Sequence, residues 1–448
     1  MPQSPQFRRK RLVALMFILC ALALFLGGSR AGVRTVSRSR QRATTTIAVA
    51  LKSGFETANT RAVAQIDTFL DGRVSVLAVG ERQKLVRNME KNTSFQLVDV
   101  YSNAFRDARQ RLREKGFTVE LGNRVGWGNK VLPPSSDSAA KLVRRMEQGH
   151  NANDTSQSGW FDNEGWRVDA HKNLPAFKLL HQTFPEADWF MMIDDDTYVF
   201  IDSLKKYLSK FDPSKPYYFG QANRFRGCDG VMEFAEAEKA PLVAQGGAGI
   251  LLSRGAMRAM ADVLDACIVR YEDCWAGDIR VALCLRDANI RLKHTAGFNG
   301  WPPQGNFVFT PNPCEIPFTY HHVLPDQMFI LREIERDYTS RHLGAPIPSA
   351  EVFRRFQRLA QTNDLDEHIR ETGFERKGRP FMNFKVNKAE ECEDRCLYYR
   401  ECVSWYYSAD SRCWLKRTPG GKEEMEGAIS GVFPNRFQCQ RSGWWPFG

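Results

Sequence analysis

Acidic residues are missing from the first 55 positions, although these positions carry ten lysine or arginine residues. Subtracting these ten from the net charge of +11 leaves +1 for the other 393 residues. The body of the chain is therefore nearly neutral, and it lacks the basic surface that binds phosphate backbones. We accordingly expect no nucleic acid among its partners.

Hydrophobic runs long enough to cross a membrane are also rare, and residues 12–28 form the one that we identify. A helix of this length spans roughly 25 Å, which suits a thin early-secretory bilayer. The basic cluster Arg8-Arg-Lys-Arg11 precedes it, so we expect residues 1–11 to be cytoplasmic, 12–28 to be a signal anchor and the rest to be luminal. A cleaved signal peptide is the alternative, because small residues follow the run.

Large apolar residues are scarce in the range 29–70, which is rich in serine, threonine, arginine and alanine. We interpret this range as a flexible stem with an end-to-end distance of roughly 35 Å. At 448 residues the chain is too long for one ordinary core. Two or three domains are therefore expected.

A glycine-rich phosphate loop is absent after Val74–Val79, the apolar run that predicts the first strand of an α/β sheet. The main strand signal is Trp189-Phe-Met-Met-Ile193, which is too short for an independent helix and is typical of a strand buried on both faces. It stops at Asp194, Asp195 and Asp196. These side chains should then lie at the carboxyl edge of the sheet, where open α/β sheets bind ligands.

The three adjacent carboxylates predict a cation site. Alternation along a strand places Asp194 and Asp196 on one side and Asp195 on the other, so the outer two can converge on one ion. Unpaired, the three would raise one another's pKa, which is unfavourable without a cation or donor groups. Mg²⁺ or Mn²⁺ suits such an oxygen-rich site and takes further ligands from phosphates. The alternative interpretation is a solvated acidic turn.

Two flanking segments supply further candidates. Asp169 and Lys172 stand at the entrance of a predicted helix, and they either cap it or face a nucleotide. Gly246-Gly-Ala-Gly249 leads into an apolar strand, and Gly247 and Gly249 would let the backbone approach a ligand closely. A tight turn or bulge is the alternative for this glycine cluster.

Acidic and imidazole groups complete the candidate set. Glu272 and Asp273 precede a predicted helix over residues 279–286, so they either stabilise its N-terminus or provide a catalytic base. Paired imidazoles follow in Tyr320-His-His-Val323. His321 or His322 is either a buried structural group or a ligand of the same cation.

Ten of the eleven cysteines follow residue 28, and this even number in an oxidising compartment predicts disulfides. Four of them lie near the C-terminus at Cys392, Cys396, Cys402 and Cys413, among many aromatic residues. Zinc is the alternative for four clustered cysteines, but paired C-x2-C motifs are missing.

Four motifs in order make the stretch from about Trp166 to His322 resemble the fringe and core 1 β-1,3-galactosyltransferase group of glycosyltransferases. They are the Lys-Asn-Leu-Pro motif at 172–175, the triple-aspartate block at 194–196, the glycine cluster at 246–249 and the Glu-Asp-x-x-x-Gly block at 272–277. The stretch 381–439 is similar to a PAN/apple module. The first outer cysteine of such a module is missing, so Cys439 should pair elsewhere or stay free.

The resemblance implies a GT-A fold, which is a Rossmann-like, mostly parallel α/β sheet, followed by a small disulfide-bonded α+β unit. The expected boundaries are 71–345 for the catalytic domain, 346–380 for a helical linker and 381–440 for the PAN/apple-like module. This module is expected to bind protein or carbohydrate. The implied setting is the Golgi or endoplasmic reticulum membrane, with the catalytic domain in the lumen.

The implied reaction is a Mn²⁺-dependent, inverting transfer of galactose or N-acetylglucosamine from a UDP-sugar to a glycan or glycoprotein hydroxyl. The resemblance assigns the metal to Asp196, with Asp194 and His321, and leaves His322 as a rival ligand. It makes Asp273 the general base, with Glu272 as rival. The nucleotide would meet the remaining candidates, which are Asp194, Asp195, Lys172, Asp169, Gly247 and Gly249.

A different class of function is a membrane-tethered carbohydrate-binding protein. In that case the transferase domain is inactive and the C-terminal module does the work. The presence of Asp196, Asp273 and His321 argues against it.

Overall fold

The computed structural model describes residues 45–88, 91, 93–117, 119–120, 124–127, 130–131, 168–224, 242–272, 274, 276–303, 312–360 and 368–439. The chain divides into two units, residues 1–45 and 46–448, and every element below lies in the second. Within the described ranges, no helix is long and apolar enough to cross a membrane. The predicted anchor at 12–28 lies outside them, as does Asp273.

The strands, in chain order, are β1 (Ile47–Lys52), β2 (Ser75–Gly80), β3 (Lys84–Asn88), β4 (Thr93–Asp99), β5 (Val119–Glu120), β6 (Arg124–Trp127), β7 (Lys130–Val131), β8 (Trp189–Asp194), β9 (Tyr198–Val199), β10 (Tyr218–Gly220), β11 (Ala222–Arg224), β12 (Leu242–Ala244), β13 (Ile250–Ser253), β14 (Leu292–His294), β15 (Thr319–Tyr320), β16 (Ile369–Arg376), β17 (Pro380–Lys385), β18 (Ser404–Tyr407), β19 (Arg412–Lys416) and β20 (Lys422–Val432).

The α-helices are α1 (Arg61–Thr68), α2 (Ala104–Glu114), α3 (Asp169–Thr183), α4 (Ile201–Leu208), α5 (Arg254–Arg270), α6 (Gly277–Asp287), α7 (Pro325–Arg341), α8 (Ser349–Ala360) and α9 (Ala389–Tyr398). Short 3₁₀ turns occur at Thr57–Asn59 and Pro434–Arg436.

Eight strands form the main sheet in the order β14-β10-β13-β8-β1-β2-β4-β3. The pairs β8–β1, β1–β2, β2–β4 and β10–β14 are parallel, and the other three pairs are antiparallel. The predicted mixed, mostly parallel α/β sheet is therefore present. The three parallel pairs in the middle bring the carboxyl ends of β8, β1 and β2 to one edge.

The central strands are hydrophobic because both of their faces are covered. In β8, Phe190 and Met192 join the core on one face, with side chains from α3, α5 and α6. Trp189, Met191 and Ile193 join the core on the other face, with side chains from α4, α7 and α8. The apolar run predicted as a doubly buried strand is thus confirmed, and it ends at Asp194 as expected.

The predicted stem boundary at residue 70 is wrong. The strand β1 and the helix α1 fall inside the range assigned to the stem, and β1 lies between β8 and β2. All six residues of β1 are buried, so the segment belongs to the core of the sheet. The run Val74–Val79, predicted as the first strand, corresponds to the second one, β2.

The C-terminal boundaries also shift. The range 346–380, predicted as a helical linker, contains α8 but also the strand β16. This strand belongs to a separate antiparallel sheet of order β16-β20-β18-β19-β17. The C-terminal module therefore begins by residue 369 rather than 381. Its identity as a PAN/apple module remains a prediction.

Disulfide bonds, rather than zinc ligation, account for the clustered cysteines. Cys392 pairs with Cys413 and Cys396 with Cys402, and these four side chains are buried beneath α9 with Trp405. Cys439 pairs with Cys314, as expected for a cysteine whose partner lies outside the module. Another bond, Cys267–Cys284, joins α5 to α6.

The position of β1 predicts that a chain beginning at residue 71 cannot fold. Removing β1 would expose the inner edges of β8 and β2 and open both cores, whereas a chain beginning at residue 45 keeps the whole sheet. Secretion yield, size-exclusion elution and circular dichroism of the two truncated chains measure this. Equal yield and equal melting temperature would show that β1 is dispensable.

Candidate active site

The acidic tip, defined here as Asp194, Asp195 and Asp196, lies at the carboxyl edge of the main sheet. Asp194 is the last residue of β8, and it pairs in register with Lys52, the last residue of β1. The tip therefore stands where the parallel strands end, which is the position at which open α/β sheets bind ligands. The alternative of a solvated acidic turn does not fit, because Asp195 is only 7% exposed.

Asp195 faces away from the other two carboxylates. Its Oδ2 atom accepts hydrogen bonds from Ser53 Oγ and Thr57 Oγ1, each at 2.6 Å. Arg61 lies 3.4 Å from its other oxygen. Burial still raises the pKa of Asp195 despite these donors. The alternation predicted from the strand therefore matches the structure, and the middle carboxylate has its own donors.

Asp194 is compensated by a lysine. The Nζ atom of Lys52 lies 3.1 Å from Asp194 Oδ1, and it also hydrogen bonds to Asp169. The Lys52 side chain is only 6% exposed. Although burial lowers its pKa, the two carboxylates outweigh that effect and raise it. Lys52 therefore stays charged and balances Asp194.

Asp196 faces two imidazoles. Its Oδ1 atom lies 3.0 Å from His321 Nε2, and its Oδ2 atom lies 3.6 Å from His322 Nδ1. One ligand atom from each of these three residues falls within 4.8 Å of the others. Asp194, predicted as a further ligand, holds its Oδ2 atom 3.9 Å from His321 Nε2. Both histidines therefore border the candidate metal position, rather than one of them alone.

Charge pairing governs the protonation of this group. Burial opposes ionisation of Asp196, but His321 and His322 lower its pKa well below the usual range. Burial likewise lowers the pKa of His321, yet Asp196 and Asp194 outweigh it and raise that pKa. The favoured partner of Asp196 is therefore a positive charge, either an imidazolium or a cation.

The segment that carries the histidines is fixed by backbone pairing. The strands β15 and β9 pair, with Tyr320 opposite Tyr198. His321 N donates to Asn299 O at 3.1 Å, and Val323 N donates to Asp196 O at 2.9 Å. The late histidine segment thus lies directly against the acidic tip, although it is distant in sequence.

Gly247 makes room for His321. A Cβ atom built on Gly247 would lie 2.1–2.3 Å from three atoms of the imidazole ring. Gly249 has a positive φ of 98°, and its Cβ would lie 2.9 Å from Met191 Cε. Contacts within the fold therefore account for both glycines, and their approach to a nucleotide stays a prediction.

Asp169 and Lys172 belong to an internal charge network. Lys172 Nζ lies 3.2 Å from Glu81 Oε2 and 3.3 Å from Asp169 Oδ1, and its side chain is only 2% exposed. Lys52 and Lys172 together lower the pKa of Asp169 against the effect of burial. The N-cap position of α3 is Val168, and Asp169 lies in the first turn of the helix. The network links Lys172 to the tip through Asp169 and Lys52, and a contact of Lys172 or Asp169 with a nucleotide stays a prediction.

The loop before α6 is anchored by a buried arginine. Arg280 donates to the carbonyl oxygens of Glu272 at 2.5 Å and Cys274 at 2.7 Å. These two residues flank position 273, which lies outside the described residues. Glu272 itself lines a cavity of about 170 Å³ with Tyr101, Phe105, His171 and Arg280 among its walls. It does not cap α6, because the N-cap residue is Ala276.

Asp278 was not singled out from the sequence. Burial raises its pKa to about 6, although the amides of Gly246 and Ile279 donate to it and Lys52 lies near. Through these two hydrogen bonds Asp278 ties the glycine cluster to the first turn of α6.

Sequence reasoning also missed Lys52, Ser53, Thr57 and Arg61, because their segment was assigned to the stem. A signal was available. The run Ile47–Leu51 is apolar and stops at a polar Lys-Ser-Gly sequence, which is the same pattern that marks β8 and its tip.

Part of the chain is similar to known proteins. Residues 137–300 match the family model described as Fringe-like. The chain is similar to the glycoprotein-N-acetylgalactosamine 3-beta-galactosyltransferase 1 of Xenopus laevis, with 24% identity over 207 residues, which cover 39% of this chain and 51% of that protein. It is also similar to chondroitin sulfate synthase 3 of Homo sapiens, with 30% identity over 118 residues, which cover 26% of this chain and 13% of that protein.

A further relative is the beta-1,3-N-acetylglucosaminyltransferase lunatic fringe of Xenopus laevis, with 34% identity over 80 residues, which cover 17% of this chain and 21% of that protein. This chain thus spans about half the length of the galactosyltransferase and smaller shares of the other two. The resemblance predicted from the motifs is confirmed at the level of the group.

The contact between Gly247 and His321 predicts that Gly247→Ala is damaging while its neighbour Gly246→Ala is tolerated. At Gly246 a new Cβ would meet Asp278 Cβ at an ordinary 3.5 Å. At Gly247 the imidazole of His321 must move, which costs about 1–3 kcal/mol of stability and shifts one residue of the candidate metal site. Thermal unfolding and Mn²⁺ titration of both variants measure this, and equal behaviour of the two would refute the packing argument.

Proposed function

We propose that this chain, which contains a Fringe-like domain, is an inverting β-1,3-glycosyltransferase. It would transfer a hexose or an N-acetylhexosamine, galactose or N-acetylglucosamine, from a UDP-sugar to a hydroxyl of a glycan or glycoprotein. The observation that carries the proposal is the cluster of Asp196, His321 and His322 at the carboxyl edge of the sheet. Two of the relatives named above, the galactosyltransferase and the N-acetylglucosaminyltransferase, are glycosyltransferases by name.

The donor set favours one metal over another. Two imidazoles beside one carboxylate disfavour Mg²⁺, which demands oxygen ligands and keeps several waters, and we assign Mn²⁺ to the site because it binds higher in the affinity order of divalent ions than Mg²⁺ while still taking phosphate oxygens. Asp196, His321 and His322 would hold the ion. When bound, the ion would stabilise the negative charge that develops on a departing diphosphate.

The chain's own residues divide the remaining tasks. Lys52 neutralises Asp194, and hydroxyl donors hold Asp195, so these two carboxylates are fixed beside the nucleotide position rather than drawn onto the ion. Inversion needs a single displacement, in which a base takes the proton of the acceptor hydroxyl. We assign the base to Asp273, on the loop that Arg280 anchors from both sides, with Glu272 as rival.

The proposed function also implies a cellular location. A signal anchor at 12–28 would place the catalytic domain in the lumen of the Golgi, where UDP-sugars and glycan acceptors meet. The disulfides fit an oxidising compartment. The C-terminal module would bind protein or carbohydrate, and the side chain of Tyr398 on α9, 80% exposed, is a candidate contact.

Asp196→Asn should abolish Mn²⁺-dependent UDP release, because it removes the one carboxylate that faces both imidazoles. The measurement is UDP formation by the luminal protein with a panel of UDP-sugars, with and without EDTA. A matched control is Asp202→Asn, which changes an exposed carboxylate of α4 that forms an ion pair with Arg73, away from the tip.

The control should keep wild-type turnover, since exposed ion pairs contribute little to stability. If the wild-type protein turns over no donor but binds glycans, the carbohydrate-binding alternative replaces the transferase proposal.

Asp273→Asn should stop transfer while UDP and Mn²⁺ still bind, because the base acts on the acceptor and not on the nucleotide. Glu272→Gln is the paired control and should retain most turnover. Calorimetric titration with UDP and a transfer assay separate the two effects. Substantial turnover in Asp273→Asn, with loss in Glu272→Gln, would move the role of base to Glu272.

A further inference from the structure

The acidic tip is held from behind by one buried amide. Gln65 of α1 is completely buried. Its Nε2 atom donates to Asp194 O at 2.8 Å and to Thr197 O at 2.6 Å. Both hydrogens of one side-chain amide therefore reach the two ends of the turn that contains Asp195 and Asp196. The turn also closes on itself, since Thr197 N donates to Asp194 O at 3.1 Å.

The other side of the same turn is fixed by different groups. Val323 N donates to Asp196 O at 2.9 Å, and Thr197 Oγ1 donates to Gly247 O at 2.7 Å. The backbone that carries Asp196 thus lies between the histidine segment and the glycine cluster on one side and Gln65 on the other. A shift of Gln65 would leave that backbone supported from one side only.

A glutamine at this position is unfavourable for the helix that bears it. Its Oε1 atom is buried and has no hydrogen-bond partner among the residues that the structure describes. A buried acceptor without a partner destabilises a fold, and an apolar side chain of similar size would avoid this. The two hydrogen bonds to the turn are therefore what offsets the cost of the buried Oε1 atom.

We propose that Gln65 is a positioning residue that sets the divalent-cation affinity of the site by fixing the turn from Asp194 to Thr197. The inference rests on the proposed metal site at Asp196, His321 and His322. Groups that orient metal ligands from behind typically change affinity by about 10–100-fold when they are removed. Gln65 bonds to backbone carbonyls of the turn and not to the side chains of Asp196, His321 or His322, so it would act through the backbone of the tip.

The test uses Gln65→Leu, which keeps the volume of the side chain and removes both donors. The luminal protein is titrated with Mn²⁺ alone, and its melting temperature is measured without metal. We expect Mn²⁺ affinity to fall by about tenfold or more. The melting temperature should fall modestly, because the variant leaves the buried Thr197 O without this donor while it also removes the unpaired Oε1.

The matched control is Thr68→Val on the same helix. Thr68 is also buried, but its hydroxyl bonds to Ala64 O within α1 and not to the tip. It should leave Mn²⁺ affinity unchanged. If Gln65→Leu does not fold, Gln65→Met replaces it, because methionine adapts to irregular space and also lacks a donor.

A second measurement separates this inference from the metal proposal. Hydrogen exchange of a peptide covering residues 194–200, recorded without metal, should quicken in the Gln65 variant and not in Thr68→Val. If the wild-type protein binds no Mn²⁺, the proposed function fails, while this exchange result still decides whether Gln65 holds the turn. Unchanged Mn²⁺ affinity in a folded Gln65 variant, or unchanged exchange, would overturn the inference.

Discussion

Three consecutive carboxylates at the edge of a buried sheet are the constraint around which this structure is built. Each must be compensated, because burial and mutual repulsion both oppose ionisation. The structure gives each one its own nearest partners: Lys52 for Asp194, two hydroxyls for Asp195 and two imidazoles for Asp196. Arg61 also lies near Asp195 and Asp196, and Asp194 lies 3.9 Å from His321, but Asp196 is the carboxylate that lies close to both imidazoles. The geometry of the candidate site thus follows from charge compensation.

The way in which the three carboxylates are compensated explains which parts of the fold could be predicted from the sequence. The strand β8, its acidic end and the alternation of the tip depend on local patterns, and these predictions agree with the structure. The partners of Asp195 cannot be predicted from local patterns, because Ser53 lies 142 positions before it and reaches it only through the parallel pairing of β1 with β8. The polar composition around β1 concealed a five-residue apolar run, so the whole segment was assigned to the stem. The same limit applies at Gly247. The sequence shows the glycine, but the imidazole of His321 that requires it comes from a distant segment.

The C-terminal module is more closely joined to the site than its separate sheet suggests. A small core of Ala350 and Phe353 from α8 with Val403, Val432 and Phe437 joins the two parts. Cys439 at the end of the module bonds to Cys314, seven positions before His321. Ser349 N also donates to Glu315 O in the same segment, at 2.8 Å. The segment leading to the histidines is therefore held from both the main sheet and the C-terminal module.

The compensated tip also determines what substitutions there can reveal. Removing one partner of a buried ion pair typically costs about 3–5 kcal/mol, because the other charge is left unpaired. Lys52 balances both Asp169 and Asp194, so a neutral residue in its place would disturb folding and chemistry together. Asp196 differs, since its partners are imidazoles that can exchange a proton for a metal ion. Of the three carboxylates, Asp196 is therefore the one whose replacement can separate the chemistry of the site from the stability of the sheet that carries it.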